Sequence, residues 1–346
     1  MEEILAFTIT TVKEETADAK TFLLQPHDPL FHFVPGQFLT FIIELEKKEL
    51  RRSYSIVSLP GEPLKITVQR VENGAISRYL LMHWKQGDVV KSLPPAGRFV
   101  LSPQNAYPRD IFFLAAGSGI TPVLPQVRYL LQQEPQSNIF LFYSNNTEDK
   151  ILFLEEIEQL QARYKRFYVF NFLSNPKSQF KERQRLNNGI LEKLITEKLQ
   201  FESKHAVFMV CGPFTYMRMV TLTLVYMKFD EEQIKTENFL PVTMRSDTRR
   251  TPDFPDRAIR IKWKGKQYTV LVKNGQTILR AALAAGFNLP YSCEGGICSA
   301  CSAICTSGKV KMTINEVLTS KDLKNNWVLT CTGYPADEAV ILEFPE

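Results

Sequence analysis

The chain has 346 residues, of which 44% are hydrophobic and 23% charged, and a formal charge of +5. That length predicts two or three domains, each able to bury its own core. The charge is too small and too dispersed for a nucleic-acid arm, and no apolar run is long enough to span a bilayer. Met1-Glu2-Glu3-Ile4 lacks the basic and apolar regions of a signal peptide. Cysteine usage fits a reducing compartment rather than a disulfide framework. The expectation is a cytoplasmic protein.

From Met1 to about Pro103, short alternating segments recur: Ile4 to Thr11, Thr21 to Leu24, Phe38 to Glu44 and Lys65 to Arg70. Pro35-Gly36 and Pro60-Gly61 punctuate them, which predicts an antiparallel barrel rather than βαβ units. One helix is predicted from Ala75 to His83. Arg52-Ser53-Tyr54-Ser55 ends a strand-like run, and Gly74-Ala75-Ile76-Ser77 opens that helix. An arginine fork suits a diphosphate, a helix N-terminus offers the same anion its free N–H groups, and Tyr54 offers a flat face to a ring system. Taken singly, the arginine and a half-buried tyrosine would better suit a plain surface strand.

From about Gln104 to Thr236 strands and helices alternate. Strands are expected at Ile111 to Ala115, Ile139 to Tyr143, Phe167 to Leu173 and Ala206 to Cys211, with helices at Val123 to Gln133 and Ile151 to Tyr164. This is a doubly wound nucleotide-binding layout. Gly117-Ser118-Gly119-Ile120-Thr121-Pro122 follows the first strand, with proline where a dinucleotide fingerprint has its third glycine. Proline suits a first helical turn. Cys211-Gly212-Pro213 ends the last strand, where open α/β sheets bind ligands; the alternative for Cys211 is a small buried hydrophobe. After the second strand comes Tyr143-Ser144-Asn145-Asn146-Thr147, with Lys150 the cation nearby that a 2′-phosphate would use; NADH is favoured slightly over NADPH.

Residues 241–256 are rich in Pro, Thr, Arg and Asp and are expected to be a linker. Beyond it, Ala258 to Trp263 and Gln267 to Val272 alternate as two strands, Thr277 to Ala285 is helical, and short strands are expected at 303–305 and 328–329. Between them lie Cys293, Cys298 and Cys301, spaced C-x4-C-x2-C, with Cys331 thirty residues on. That is the plant-type [2Fe–2S] spacing, with Gly295 and Gly296 expected to supply positive φ in a tight loop. A structural zinc site or a disulfide pair are the alternatives. Cys211 and Cys305 are left over, Cys305 as a buried free thiol.

The paired motifs resemble the flavin-binding signatures of the ferredoxin–NADP reductase superfamily. The resemblance extends to Phe33 through Phe38, to Pro95 through Phe99, and to the Gly117–Pro122 and Cys211–Met217 segments. It implies that Arg52 and Ser77 hold the flavin pyrophosphate, that Tyr54 stacks on the isoalloxazine, and that Ser55 lies near flavin N5. Arg52, Ser53, Tyr54, Ser55, Gly74, Ala75, Ile76 and Ser77 thus form the candidate flavin site. Gly117, Thr121, Cys211, Gly212 and Pro213 line the nicotinamide side, Ser55 and Cys211 being the candidate catalytic residues, and Phe239 is the candidate cover of the flavin ring. Cys293, Cys298, Cys301 and Cys331 are the candidate metal ligands.

The implied order is an FAD-binding β-barrel (1–103), a doubly wound α/β NAD(P)-binding domain (104–240), the linker, and a β-grasp ferredoxin domain (257–346). That order resembles the reductase components of multicomponent oxygenases. It implies FAD, a [2Fe–2S] cluster and NAD(P)H as cofactors, and an oxygenase, hydroxylase or desaturase component as electron acceptor. FMN in place of FAD and a redox-sensing module without turnover remain open at this point.

Overall fold

The computed structural model describes residues 3–45, 48–72, 74–178, 183–239, 253–287, 289–291, 293–296, 299–315 and 317–345. Most of the expected linker and Cys298 lie outside the described residues. The chain divides into two compact units, Ile4–Glu237 and Asn238–Glu346, the second joined by Met1–Glu3.

The larger unit begins with a six-stranded antiparallel sheet made of β1 (Leu5–Thr16), β2 (Ala19–Pro26), β3 (Phe38–Leu45), β4 (Lys48–Ser55), β5 (Leu64–Gln69) and β6 (Val89–Ser92), in the order β4-β3-β6-β1-β2-β5. Its two edges meet through a bridge between Ile56 and Ile66, and Val57 N–H donates to Lys65 O at 2.9 Å. Closure removes exposed strand edges and gives the barrel expected from the alternation. Inward residues such as Phe7, Ile9, Phe22, Phe41 and Ile66 fill it. Helix α1 (Ala75–His83) has the bounds its pattern predicts, burying Ile76, Ser77 and Leu80 one turn apart.

The second layer of this unit is a parallel sheet of β7 (Asp110–Ala116), β8 (Asn138–Asn145), β9 (Phe167–Leu173), β10 (Val207–Cys211) and β11 (Ile234–Glu237), ordered β11-β10-β7-β8-β9. Helices α2 (Ile120–Gln133), α3 (Leu154–Arg163), α4 (Asn188–Lys198) and α5 (Phe214–Tyr226) connect the strands. β7 is buried along its whole length, as a strand covered on both faces must be. Helix α3 starts three residues later than its periodicity suggests. Ile151 and Leu152 are buried plugs, with Leu152 N–H on the Tyr143 hydroxyl, and Phe153 turns the chain at φ +58°. α4 and α5 carry too little amphipathic contrast to have been expected.

Barrel and parallel sheet share a core. Phe99, Leu101 and Ala19 pack with Val123, Leu124 and Val127 of α2, and buried Gln126 accepts from Leu101 N–H at 2.9 Å. At the other end of α2, Arg109 forms a two-pronged pair with Glu134, both contacts at 2.8 Å, with Ser137 donating to the same carboxylate at 2.6 Å. Arg109 and Glu134 are both buried. Arg109→Ala strands that carboxylate, so a loss of about 3–5 kcal/mol in urea unfolding is expected. Replacing both partners by methionine should recover much of it.

The smaller unit holds β12 (Arg257–Trp263), β13 (Lys266–Val272), α6 (Ile278–Ala284), β14 (Ser302–Ser307), β15 (Val310–Met312), α7 (Ser320–Lys324), β16 (Trp327–Leu329), β17 (Gly333–Pro335) and β18 (Ile341–Glu343). Its main sheet runs β13-β12-β18-β14-β16, with β12 and β18 parallel. Apolar residues of α6 cover one face, packing with Ile259, Ile261, Val270 and Leu342. Thr277 caps α6 by accepting from Arg280 N–H. A mixed sheet curled over one helix is the β-grasp arrangement the sequence predicts.

Candidate functional site

In the barrel, the four residues of the first motif lie on the edge strand β4, paired in register with β3: Arg52 opposite Phe41, Ser53 opposite Thr40, Tyr54 opposite Leu39 and Ser55 opposite Phe38. Arg52 is exposed, its Nη1 donating to Arg51 O at 2.7 Å. Ser53 and Thr40 hydroxyls are 2.9 Å apart. The Tyr54 ring sits 6.2 Å from Phe41 and packs, partly buried, against the barrel core; burial pushes its hydroxyl above the ordinary range, partly offset by the Arg52 charge. The Ser55 hydroxyl is buried and has no hydrogen-bond partner. A buried orphan of this kind costs about 1–3 kcal/mol, so Ser55 awaits a partner that a flavin edge could supply.

The second motif forms the mouth of α1. Gly74 is its N-cap, with neither a capping side chain nor an acidic residue in the first turn, which leaves the N-terminal N–H groups open to an anion. The Ser77 hydroxyl turns inward, accepting from Val71 N–H at 3.0 Å and donating to Gly74 O. Its backbone, with that of Ala75 and Ile76, is what the helix mouth presents.

In the parallel sheet, the glycine loop and the Cys211 segment meet at the carboxyl ends of β7 and β10. A Cβ on Gly119 would lie 2.2 Å from Cys211 O, so only glycine allows this approach. Thr121 donates to Ser118 O at 2.9 Å and closes the first turn of α2, whose N-cap lacks a side-chain partner. Pro122 is the third residue of α2 rather than the first, still among the N–H positions a helix leaves unpaired. Gly212 packs against Ala116 and Tyr216, and Pro213 is the N-cap of α5. Gly119→Ala should slow flavin reduction by NAD(P)H on the order of 10²-fold, the scale of an ångström's misplacement of reacting groups, measurable by anaerobic rapid mixing.

The residue that sequence reasoning left out of the site is Glu237. It pairs in register with Cys211 across β10 and β11, its Oε2 has no partner, and burial pushes its carboxyl up to about 8. Burial, and then the Glu237 charge, push the Cys211 thiol well up. The buried hydroxyls of Ser144 and Tyr216 and the Asn145 amide nitrogen likewise lack well-aligned partners at this end of the sheet. Such a concentration of unmatched polar atoms at one end of a sheet is of the kind a bound ligand satisfies. The sequence sign of Glu237 is the acidic-aromatic segment Glu237-Asn238-Phe239, of which sequence reasoning selects only Phe239.

In the smaller unit, Cys293 is half-buried, while Cys301 and Cys331 are buried. The Cys293 and Cys301 thiols both lie within hydrogen-bonding reach of Cys331. Gly295 N–H donates to Cys293 Sγ at 3.3 Å, the kind of contact that tunes a cluster thiolate. Positive φ falls at Gly296, as expected, but then at Glu294 and Ser299 rather than Gly295; a Cβ on Gly296 would also meet Ile314 O at 2.6 Å. The chemistry of the donor set, thiols and backbone N–H groups, fits an iron–sulfur cluster. Cys305 points its thiol at Ser307 O, 3.1 Å away, instead.

Three family models match along the chain: an oxidoreductase FAD-binding domain over residues 6–101, an oxidoreductase NAD-binding domain over 113–221, and a 2Fe-2S iron-sulfur cluster binding domain over 261–336. The chain is 30% identical to a subunit of the 1,2-phenylacetyl-CoA epoxidase of Escherichia coli (strain K12), an alignment covering 98% of this chain and 97% of that one. It belongs to the ferredoxin–NADP reductase superfamily, in the branch with a C-terminal plant-type [2Fe–2S] domain.

Another relative of this superfamily member is the glycine betaine monooxygenase reductase component of Pseudomonas aeruginosa, 29% identical over 95% of this chain and 93% of that one. The fold is that of phthalate dioxygenase reductase, with a TM-score of 0.61 at 21% identity over 99% of this chain and 98% of that structure. As a reductase of this family, the chain takes electrons from NAD(P)H through FAD to a [2Fe–2S] cluster. Among its described residues no helix is long and apolar enough to cross a membrane.

Proposed function

We propose that this reductase is a cytoplasmic electron-supply component, delivering electrons from its cluster to a separate oxygenase, hydroxylase or desaturase. The observation that carries this reading is the gathering of Cys293 and Cys301 on Cys331, an electron outlet on a chain whose other two domains bind FAD and NAD(P)H. The printed roles of the relatives, a part of an epoxidase and a monooxygenase reductase, support it.

When bound, the flavin accepts a hydride from the nicotinamide and the cluster releases electrons singly. The chain's part is to hold and order. Arg52 and the open N–H groups of Ala75, Ile76 and Ser77 bind the flavin diphosphate. Tyr54 and Ser53 shape the flavin side of β4, and the Ser55 hydroxyl, unsatisfied on its own, hydrogen-bonds the flavin ring edge. Gly74, Gly117 and Gly212 let backbone approach the ligands closely, while Thr121 and Pro213 fix the two helix mouths that face the nicotinamide nucleotide. Cys211 stays a neutral thiol that excludes water, and Glu237 Oε2 holds a proton near neutral pH. Phe239, 44% exposed, is an aromatic face free to cover a ring. Cys298 joins the three described thiols as the fourth ligand.

For the nucleotide, NADH is preferred. The turn after β8 presents Glu148 and Asp149; Glu148 already accepts the N–H groups of Lys177 and Ser178, and Asp149 pairs with Lys177 Nζ at 2.9 Å. An added 2′-phosphate would meet these carboxylates there, with the nearby cations Lys150 and Lys177 already paired to Asp18 and Asp149. Anaerobic titration of the loaded protein tests the whole reading: NADH should bleach the flavin bands and the broad iron–sulfur absorbance at lower concentration than NADPH. Bleaching of the flavin alone would remove the cluster from the path. Chromatography of the released flavin should give FAD and not FMN.

A further inference from the structure

The hairpin of β12 and β13 carries charge of one sign. Residues 257–272 include Arg257, Arg260, Lys262, Lys264 and Lys266 and not one acid. Strand alternation sends Ile259 and Ile261 into the core and leaves Arg260 and Lys262 exposed on the outer face of the sheet. The turn between the strands is Lys264-Gly265, both in the left-handed region at φ +49° and +68°. Such a two-residue turn favours asparagine or aspartate before the glycine. A lysine there costs roughly 1–2 kcal/mol. What lysine supplies in return for this local cost is a cation at the tip.

Beside the tip opens a cleft of about 560 Å³, lined by Lys262, Trp263, Lys264, Lys266, Glu343 and Pro345 among others. Lys264 Nζ lies 5.4 Å from the centre of the Trp263 ring. Two acids come near, Glu343 at 3.9 Å from Lys262 and Glu3 at 3.9 Å from Lys264. Both contacts are long and solvent-exposed, so they neutralise little.

The register places this cleft. Ile304 of β14 pairs with Glu343 of β18, which pairs with Lys262 of β12. From these pairs β12 and β18 run on towards the hairpin turn and Pro345 while β14 runs back towards Ser302, so the hairpin tip and the residue after Cys301 lie at the same end of the sheet. The lateral gap is two strand spacings, about 10 Å. Ser302 also pairs with Leu329, which brings Cys331 to the same end of the sheet. The basic cleft therefore borders the edge where the cluster thiols gather.

We propose that this cleft and its lysine rim are the docking surface for an acidic face of the electron-accepting protein. The proposal rests on the reading that electrons leave through the cluster. Lysine charges steer an acidic partner towards that edge, and Trp263 with the lysine stems gives it an apolar seat. Each encounter moves one electron to the partner, and no bond forms between the proteins. One NAD(P)H becomes NAD(P)+ and a proton while two ferric haems become ferrous.

The test uses the loaded full chain with NAD(P)H and two haem proteins as probes, acidic cytochrome b5 and basic cytochrome c. At low ionic strength cytochrome b5 should be reduced the faster, and its rate should fall about tenfold or more as salt is raised. The variant Lys262→Glu with Lys264→Asn and Lys266→Glu keeps a favourable turn while reversing the rim. It should slow cytochrome b5 reduction about tenfold or more and speed that of cytochrome c, with flavin bleaching by NAD(P)H intact. Faster reduction of cytochrome c by the unaltered protein would overturn the docking surface. So would unchanged rates in a variant that still bleaches. Reduction of neither probe, with the flavin bleached, would overturn the electron-exit reading and the docking surface with it. Should the variant fail to load its cofactors, the order of the two probes and their opposite salt dependence in the unaltered protein decide the matter.

Discussion

Cys331→Ser yields a protein that keeps its flavin and loses its iron. Cys331 is buried just beyond β16 with the Cys293 and Cys301 thiols in reach, and a cluster thiolate must give up its proton to bind metal. A serine hydroxyl does so far less readily, so iron and acid-labile sulfide should fall from about two of each per chain to near none. The Ile4–Glu237 unit is compact on its own, so NAD(P)H should still bleach the flavin. Reduction of one-electron protein acceptors should all but stop. Cys305→Ser is the matched control: its thiol is spent on Ser307 O and Gly308 O, and its iron content should match the unaltered protein. Retention of iron in the Cys331 variant, or its loss in the Cys305 variant, would reassign the fourth ligand.

The second large effect is in the pH dependence of stability at Glu237. An unfolded glutamate ionises near pH 4.5, whereas in the fold burial holds this carboxyl protonated up to about 8. Between those values the folded state binds the extra proton, so stability declines as pH rises through the window. The limiting slope is about 1.4 kcal/mol per pH unit, flattening above pH 8 where both states are ionised. Glu237→Gln removes the titration while preserving shape. Urea unfolding should therefore give similar stabilities for the two proteins near pH 4 and an increasing advantage to the variant towards pH 8. Parallel curves would mean that the carboxyl is ionised in the fold. The flavin-bleaching rate of the unaltered protein should also change near pH 8 and that of the variant should not.

Much of the fold was legible because patterning and punctuation agree. Helix α1 and strand β9 were readable to the residue: the first from apolar positions one turn apart behind Gly74, the second from a run too short for a helix. Helix α5 was not, since Phe214–Tyr226 is apolar on most sides and rich in β-branched residues, so no face stood out. The cluster loop was legible as a spacing and not as a conformation. Its positive φ at Glu294 and Ser299 follows from the geometry of the wrap, which overrides residue preference. Glu237 shows the deeper limit. An acid at a strand end is commonplace, and only the packing around it leaves its Oε2 alone.

One consequence follows from the core that α2 shares with the barrel. Phe99 and Leu101 are as much part of the nucleotide layer as of the flavin layer, so a cut near residue 103 would open an apolar wound on both fragments. Expressed halves should aggregate or bind each other, whereas the boundary after Glu237 is where the chain divides into its two compact units. For grafting experiments the exchangeable cartridges are thus two: a flavin–nicotinamide engine that must travel whole, and an iron–sulfur outlet that can be swapped behind it.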